Sequence, residues 1–170
     1  ERWFPPREWV IYIMSSSHTD IGLHNSQYFQ RWQSENFIDE AVKLSDEAEK
    51  RNPPLDYHYL MEGSWFWNNY GMDRGRSAAL NIRDHYIRSG KLGVCCGIAG
   101  NHTQTYGLEE MCRSAYTRRK LEDQWGIESH TMSMIDNNGI SWSLIAPYAE
   151  AGYRNVIFAP NPWNPLPSTV

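Results

Sequence analysis

The stretch that decides the fold is Val10-Ile11-Tyr12-Ile13-Met14-Ser15-Ser16-Ser17-His18-Thr19-Asp20. Its first five residues form an apolar run, which is typical of a buried β-strand. A His and an Asp two residues apart, where a strand opens into a loop, can turn toward one point above the edge of a sheet. Imidazole nitrogen and carboxylate oxygen suit zinc or a similar divalent ion, so His18 and Asp20 are candidate metal ligands. The alternative is that Asp20 caps the next turn and His18 is a solvated loop residue.

Length and charge limit the possible functions. The chain has 170 residues, which corresponds to a single domain. Its net charge of −4 disfavours nucleic acid and anionic membranes as partners. No apolar stretch of the sequence approaches the length of a membrane span, so we expect a soluble protein.

The cysteines indicate the redox environment. The chain has three of them, Cys95, Cys96 and Cys112. An odd count with two adjacent members is not typical of a disulfide framework, so we expect buried free thiols at Cys95 and Cys96. This favours a reducing compartment such as the cytoplasm, although the compartment itself is not determined.

Apolar runs and helical patterns alternate along the chain. We predict strands at residues 10–15, 57–61, 92–97, 131–135 and 155–159, and helices at 34–51, 74–88, from 108 onward, and 142–151. Such alternation predicts an α/β fold with parallel strands, right-handed crossovers and both sheet faces buried. Functional sites of these folds lie at the carboxyl ends of the strands.

Polar and aromatic residues follow the predicted strands. Glu62 and Trp65 come after the second strand, Asn101 and His102 after the third, and Asp136 after the fourth. Because the carboxyl ends of parallel strands share one edge, we expect these residues to meet His18 and Asp20 in one mouth. Trp65 is either a platform for the apolar face of a sugar or a core residue. His24, close to the first motif, is a candidate substrate contact or a plain loop residue.

Several short motifs occur in a characteristic order. They are His18-Thr19-Asp20, Glu62-Gly63-Ser64-Trp65-Phe66-Trp67, Gly90-Lys91-Leu92-Gly93-Val94, Trp125-Gly126-Ile127, Ile135-Asp136-Asn137-Asn138-Gly139 and Ala151-Gly152-Tyr153-Arg154. In order and spacing the chain resembles the N-terminal catalytic domain of glycoside hydrolase family 38, the α-mannosidases, over about residues 10–161.

The resemblance implies a zinc-dependent retaining glycosidase on a seven-stranded parallel β/α barrel. Residues 1–170 are then a single, barrel-like but incomplete β/α domain, the N-terminal part of a longer catalytic domain. The implied partners are a carbohydrate substrate with α-linked, mannoside-like sugars, and the rest of the parent chain or a second copy. His18 and Asp20 become ligands of zinc or another divalent metal, Asp20 and Asp136 become catalytic residues, and Asp136 also lines the sugar site. Glu62 becomes a supporting residue, or a member of a buried salt bridge.

The chain departs from the family pattern after the third strand. The resemblance implies a zinc-ligating nucleophile carboxylate there, but residues 100–105 contain none. Asn101 or His102 stands in its place, and neither is a usual glycosyl nucleophile. His102 is a candidate third metal ligand, since imidazole binds zinc well, and Asn101 is a candidate substrate contact.

Two other functions remain open. A metal-dependent polysaccharide deacetylase-like enzyme also holds its ion with His and Asp after the first strand and needs no glycosyl nucleophile. Its characteristic downstream His-x-x-x-His pair is absent from this sequence. A non-catalytic glycan-binding relative fits both the aromatic residues and the missing carboxylate.

Overall fold

The computed structural model describes residues 8–161 of the chain. Within that range the strands are β1 (Ser15–Ser16), β2 (Tyr59–Met61), β3 (Leu92–Val94), β4 (Thr131–Asn137) and β5 (Asn155–Pro160). They form two small parallel sheets, one in the order β1-β2-β3 and one pairing β4 with β5. A hydrogen bond from the Cys96 amide to the Thr131 carbonyl, 2.8 Å long, connects the end of the first sheet to the start of the second.

Helices and short turns fill the connections between strands. The α-helices are α1 (Gln27–Glu49), α2 (Ser64–Asp73), α3 (Arg76–Ile82), α4 (Leu108–Ser114), α5 (Thr117–Trp125) and α6 (Ile145–Glu150). Helix α1 begins where the Ser26 hydroxyl accepts a hydrogen bond from the Phe29 amide. Helix α5 ends at Gly126, which adopts a left-handed conformation. No helix in the described part of the chain is long and apolar enough to cross a membrane.

The prediction of a barrel-like domain is wrong for this structure. The chain is α/β and its strands are parallel, but the five strands between residues 8 and 161 lie in two small sheets and close no barrel. The geometric reason is that a parallel barrel needs more strands, with a consistent tilt and stagger around the ring. The outer strands β1 and β5 are therefore both edges of the sheet system.

The apolar run 10–14 is not part of a strand. Strand β1 contains only Ser15 and Ser16, which pair with Tyr59 and Leu60. Because β2 begins at Tyr59, the residues before Ser15 have no neighbouring strand to pair with. Side chains from Val10 to Ile13 are 73–90% exposed.

The aromatic segment after β2 is helical, which the sequence patterns missed. Trp65, Phe66 and Trp67 open helix α2. Trp67 is fully buried, and its ring stacks on that of Tyr70 with the ring centroids 6.0 Å apart. The Trp67 ring also contacts the Trp125 ring edge-on. Most of this cluster is therefore core, and tertiary packing determines its helical conformation.

The core lies between the strands and the helices that pack on them. Residues alternate along β2 and β3, so that Tyr59, Met61, Leu92 and Val94 are buried while the residues between them are only half-buried. Strand β4 differs, because its consecutive residues 132–134 are all buried. The expectation that both faces are buried is therefore met in β4 and only in part in β2 and β3.

The cysteines agree with the sequence expectation. Cys95 and Cys96 are buried free thiols, and Cys112 is a partly exposed one. Burial raises the pKa of the Cys95 thiol to about 12, so this group stays protonated and unreactive near neutral pH.

A close helix contact at Gly71 gives a test of this packing. A Cβ atom at Gly71 would lie 2.1 Å from the Trp125 ring, whereas one at Gly107 would meet nothing within 4 Å. We expect Gly71→Ala to lower the free energy of unfolding by about 1–3 kcal/mol, because the added methyl group overpacks the contact. Urea denaturation measures the effect, with Gly107→Ala as the control. Equal midpoints for the two variants would contradict the packing described here.

Candidate metal centre

His18, Asp20 and Asp136 meet at the carboxyl ends of the strands. Each offers one ligand atom, and the three atoms lie within 4.8 Å of one another. The His18 Nε2 atom is 3.6 Å from Asp20 Oδ1 and 3.7 Å from Asp136 Oδ2. The sequence expectation that strand ends bring polar residues together is thus met for these three.

Glu62 contacts the other ring nitrogen of the same imidazole. Its Oε2 atom lies 3.1 Å from His18 Nδ1. Burial raises the pKa of the Glu62 carboxyl above its ordinary value, and the adjacent His18 partly counteracts this shift. The backbone next to Glu62 approaches the Ile98 backbone closely, and residue 63 must be glycine there, because a Cβ at Gly63 would lie 2.5 Å from the Ile98 carbonyl oxygen. The Ser64 and Trp65 amides donate hydrogen bonds across this close approach, to Gly97 and Ile98.

A β-bulge turns Asp136 toward the site. Ile135 pairs with Ala159 and Asn137 pairs with Pro160, so that Asp136 is an extra residue between two registers. Asp136 has φ 52°, a left-handed conformation that Asp adopts more readily than most residues. Bulges re-aim single side chains in this way and are frequent beside functional sites.

Asn161 and His24 contact the oxygens of Asp136 and Asp20 that are not directed at His18. The Asn161 Nδ2 atom donates a 2.8 Å hydrogen bond to Asp136 Oδ1. The His24 Nε2 atom lies 3.1 Å from Asp20 Oδ2, and the His24 side chain is 72% exposed. His24, predicted as a substrate contact, therefore does lie beside the cluster.

An open pocket of about 330 Å³ surrounds the cluster. This volume is at the lower end of the range for small-molecule sites. His102, the predicted third ligand, lines the pocket but lies outside the three-residue group. The aromatic ring in the lining is that of Phe66, whereas Trp65 packs edge-on against Phe66 and does not line the pocket.

Asn101 does not line the pocket, although its neighbours Gly100 and His102 do. It is buried, its side-chain amide donates to the Tyr148 hydroxyl, and its side-chain oxygen accepts from Tyr106. Its carbonyl oxygen accepts a hydrogen bond from Asn137 Nδ2, which links the ends of β3 and β4. These contacts support the loop, and the predicted contact of Asn101 with a sugar has no support in this placement.

The sequence patterns predicted that Asp136 meets His18 and Asp20, but missed it as a metal ligand and missed Asn161 as its partner. The available signal was position, because both residues lie just past a predicted strand of the same parallel set. Asp136 is the only carboxylate within β4 and directly follows the strand predicted at 131–135. Nothing in the local sequence reveals the bulge that turns it toward the site.

Comparison of the chain with models of known protein families gives no match, and a search of the curated proteins gives none either. Inferences about function therefore depend on the geometry and on the resemblance carried by the motifs.

Two of the three ligand-atom distances are compatible with one zinc ion. Atoms that each lie about 2.0–2.2 Å from one ion are at most about 4.4 Å apart. Both distances from His18 Nε2 are shorter than that limit, and the distance between the two aspartate oxygens is at most 4.8 Å. Imidazole nitrogen and carboxylate oxygen are both donor types that zinc binds.

Zinc titration distinguishes Asp136 from His102 as the third ligand. Loss of a residue that only hydrogen-bonds to a metal ligand typically weakens metal binding roughly 10- to 100-fold. Because Asp136 is itself a proposed ligand, we expect Asp136→Asn to weaken zinc binding by at least this factor. His102→Ala is expected to leave the affinity within about twofold, since residue 102 lies outside the group. Isothermal calorimetry measures both constants. The reverse order of effects would restore His102 as the ligand and remove Asp136.

Proposed function

We propose that this chain is the zinc-binding, sugar-binding part of a glycosidase similar to family 38, and that it acts on α-linked mannoside-like sugars. His18, Asp20 and Asp136 hold the ion, and the pocket above them receives one sugar ring. The proposal takes Asp136 as the carboxylate that the family pattern requires and that the segment after β3 lacks.

One observation carries the proposal: three carboxylates surround a single imidazole. Asp20, Glu62 and Asp136 all lie within 3.7 Å of a His18 ring nitrogen. The carboxylates outnumber the two imidazoles beside them, His18 and His24, and like charges this close repel one another. A divalent cation bound to His18 Nε2, Asp20 and Asp136 removes that repulsion.

The residues divide the proposed reaction between them. His18, Asp20 and Asp136 would hold the zinc ion, which would supply polarisation and orientation of sugar hydroxyl groups. Asp136 attacks the anomeric carbon, forming a bond to that carbon while the glycosidic C–O bond breaks. The leaving oxygen needs a proton from a second carboxylic acid, which in retaining enzymes lies about 5–5.5 Å from the nucleophile. None of the described residues is assigned this role, and a fluoride leaving group departs without it. Water then hydrolyses the glycosyl ester and regenerates the Asp136 carboxylate.

A trapping experiment tests this assignment in a single turnover. The chain loaded with Zn²⁺ is incubated with an activated fluorinated α-mannosyl fluoride, and its mass is measured. We expect one glycosyl group to be added, and peptide mapping to place that group on Asp136. Asp136→Asn abolishes the labelling, whereas the control Asp123→Asn does not, because Asp123 is exposed and pairs with Arg119 on α5.

The other outcomes separate the competing functions. Zinc binding without labelling, combined with acetate release from an acetylated glycan, would replace the glycosidase by the deacetylase-like enzyme. Zinc and glycan binding with neither reaction would leave a non-catalytic glycan-binding domain. No zinc binding at all would overturn the metal centre itself.

A further inference from the structure

The outer atoms of two ligands are held by residues from neighbouring strand ends. His18 Nδ1 faces the Glu62 carboxylate at 3.1 Å, while Nε2 faces both aspartates. Asp136 Oδ1 accepts the amide hydrogen of Asn161, while Oδ2 faces His18. In each ligand, one atom has a protein partner and the other is directed into the cluster.

We propose that Glu62 and Asn161 are positioning residues, which restrict His18 to binding through Nε2 and Asp136 to binding through Oδ2. The inference rests on the proposed metal centre and adds its coordination mode. With one donor atom from each of these two ligands, the side of the ion toward the pocket stays open for substrate.

The Glu62 contact determines which tautomer His18 adopts. A carboxylate acceptor at Nδ1 holds the proton on that nitrogen, so the lone pair of the neutral ring lies on Nε2. Carboxylate–histidine–metal arrangements use the same physical effect to orient the ring and raise its basicity. Glu62 is buried and directly follows Met61, which pairs with Val94 of β3.

The Asn161 contact determines how Asp136 presents its carboxylate. The backbone N–H of Asn161 donates a 2.9 Å hydrogen bond to the Asn137 carbonyl oxygen. This bond continues the pairing of β4 and β5 past the bulge. The Asn161 side chain is thereby placed beside the carboxylate that the bulge has turned. While Oδ1 accepts this hydrogen bond, bidentate binding of an ion by Asp136 is disfavoured.

Cobalt substitution tests the Asn161 half of the proposal. The visible absorption of bound Co²⁺ falls as the coordination number rises, so it reports whether Asp136 binds through one oxygen or two. We expect Asn161→Leu to lower the absorption per bound Co²⁺ and to weaken Co²⁺ binding roughly 10-fold. The control is Asn155→Leu at the opposite end of β5, where the side chain donates only to the Thr131 hydroxyl. A spectrum and an affinity equal to those of wild type in Asn161→Leu would overturn this half.

The Glu62 half has a test that needs no metal. We expect ¹⁵N NMR of the metal-free protein to show the neutral His18 ring protonated on Nδ1. Glu62→Gln keeps an oxygen acceptor and preserves this tautomer, whereas Glu62→Leu shifts the proton toward Nε2 and weakens Co²⁺ binding roughly 10- to 100-fold. An unchanged tautomer in a folded Glu62→Leu protein would overturn the role of Glu62.

The two kinds of failure are distinguishable. If wild-type protein binds no Co²⁺ or Zn²⁺, the proposed metal centre is wrong, whatever the tautomer. If wild-type protein binds the ion but Asn161→Leu and Glu62→Leu do not alter the binding, the metal centre stands and the positioning roles are wrong.

Discussion

The His18 imidazole is the contact on which the candidate site depends. Its two nitrogens face opposite ways, Nδ1 toward Glu62 and Nε2 toward Asp20 and Asp136. One ring thus connects the ends of β1, β2 and β4. Because the three partners are all acidic, the same contact concentrates negative charge in one place, and the proposed metal centre follows from that charge.

The sheet system explains why these residues meet. Within each of the two sheets the described strands are parallel, so their carboxyl ends lie along one edge. Close backbone approach at Gly63 and the bulge at Asp136 then adjust two of the side chains locally. Regular strand pairing brings the strand ends to a common edge, and the irregular backbone at Gly63 and Asp136 orients the side chains of Glu62 and Asp136 toward His18.

The elements that were predicted correctly and those that were missed differ in one physical respect. Segments with their own periodicity were predicted as helices from local sequence, but their bounds were not. Helix α1 begins at Gln27 and not at residue 34, and the helix predicted from 108 onward is two helices, α4 and α5. The apolar run 10–14 was misread because pairing depends on where β2 begins, which the run itself does not encode. Helix α2 was missed because its aromatic residues are ordered by contacts with distant parts of the core.

For the site, the sequence by itself determined the chemical types present, namely the His18-Thr19-Asp20 motif and a polar or charged residue after most strands. The tertiary structure alone decided which of them meet: Asp136 joins the motif, His102 lines the same pocket outside the three-residue group, and Asn101 is buried and does not line the pocket. The reason is that a ligand set is a matter of distances of a few ångströms between separate strand ends. Those distances are fixed by strand register, a bulge and side-chain hydrogen bonds, which no local pattern specifies.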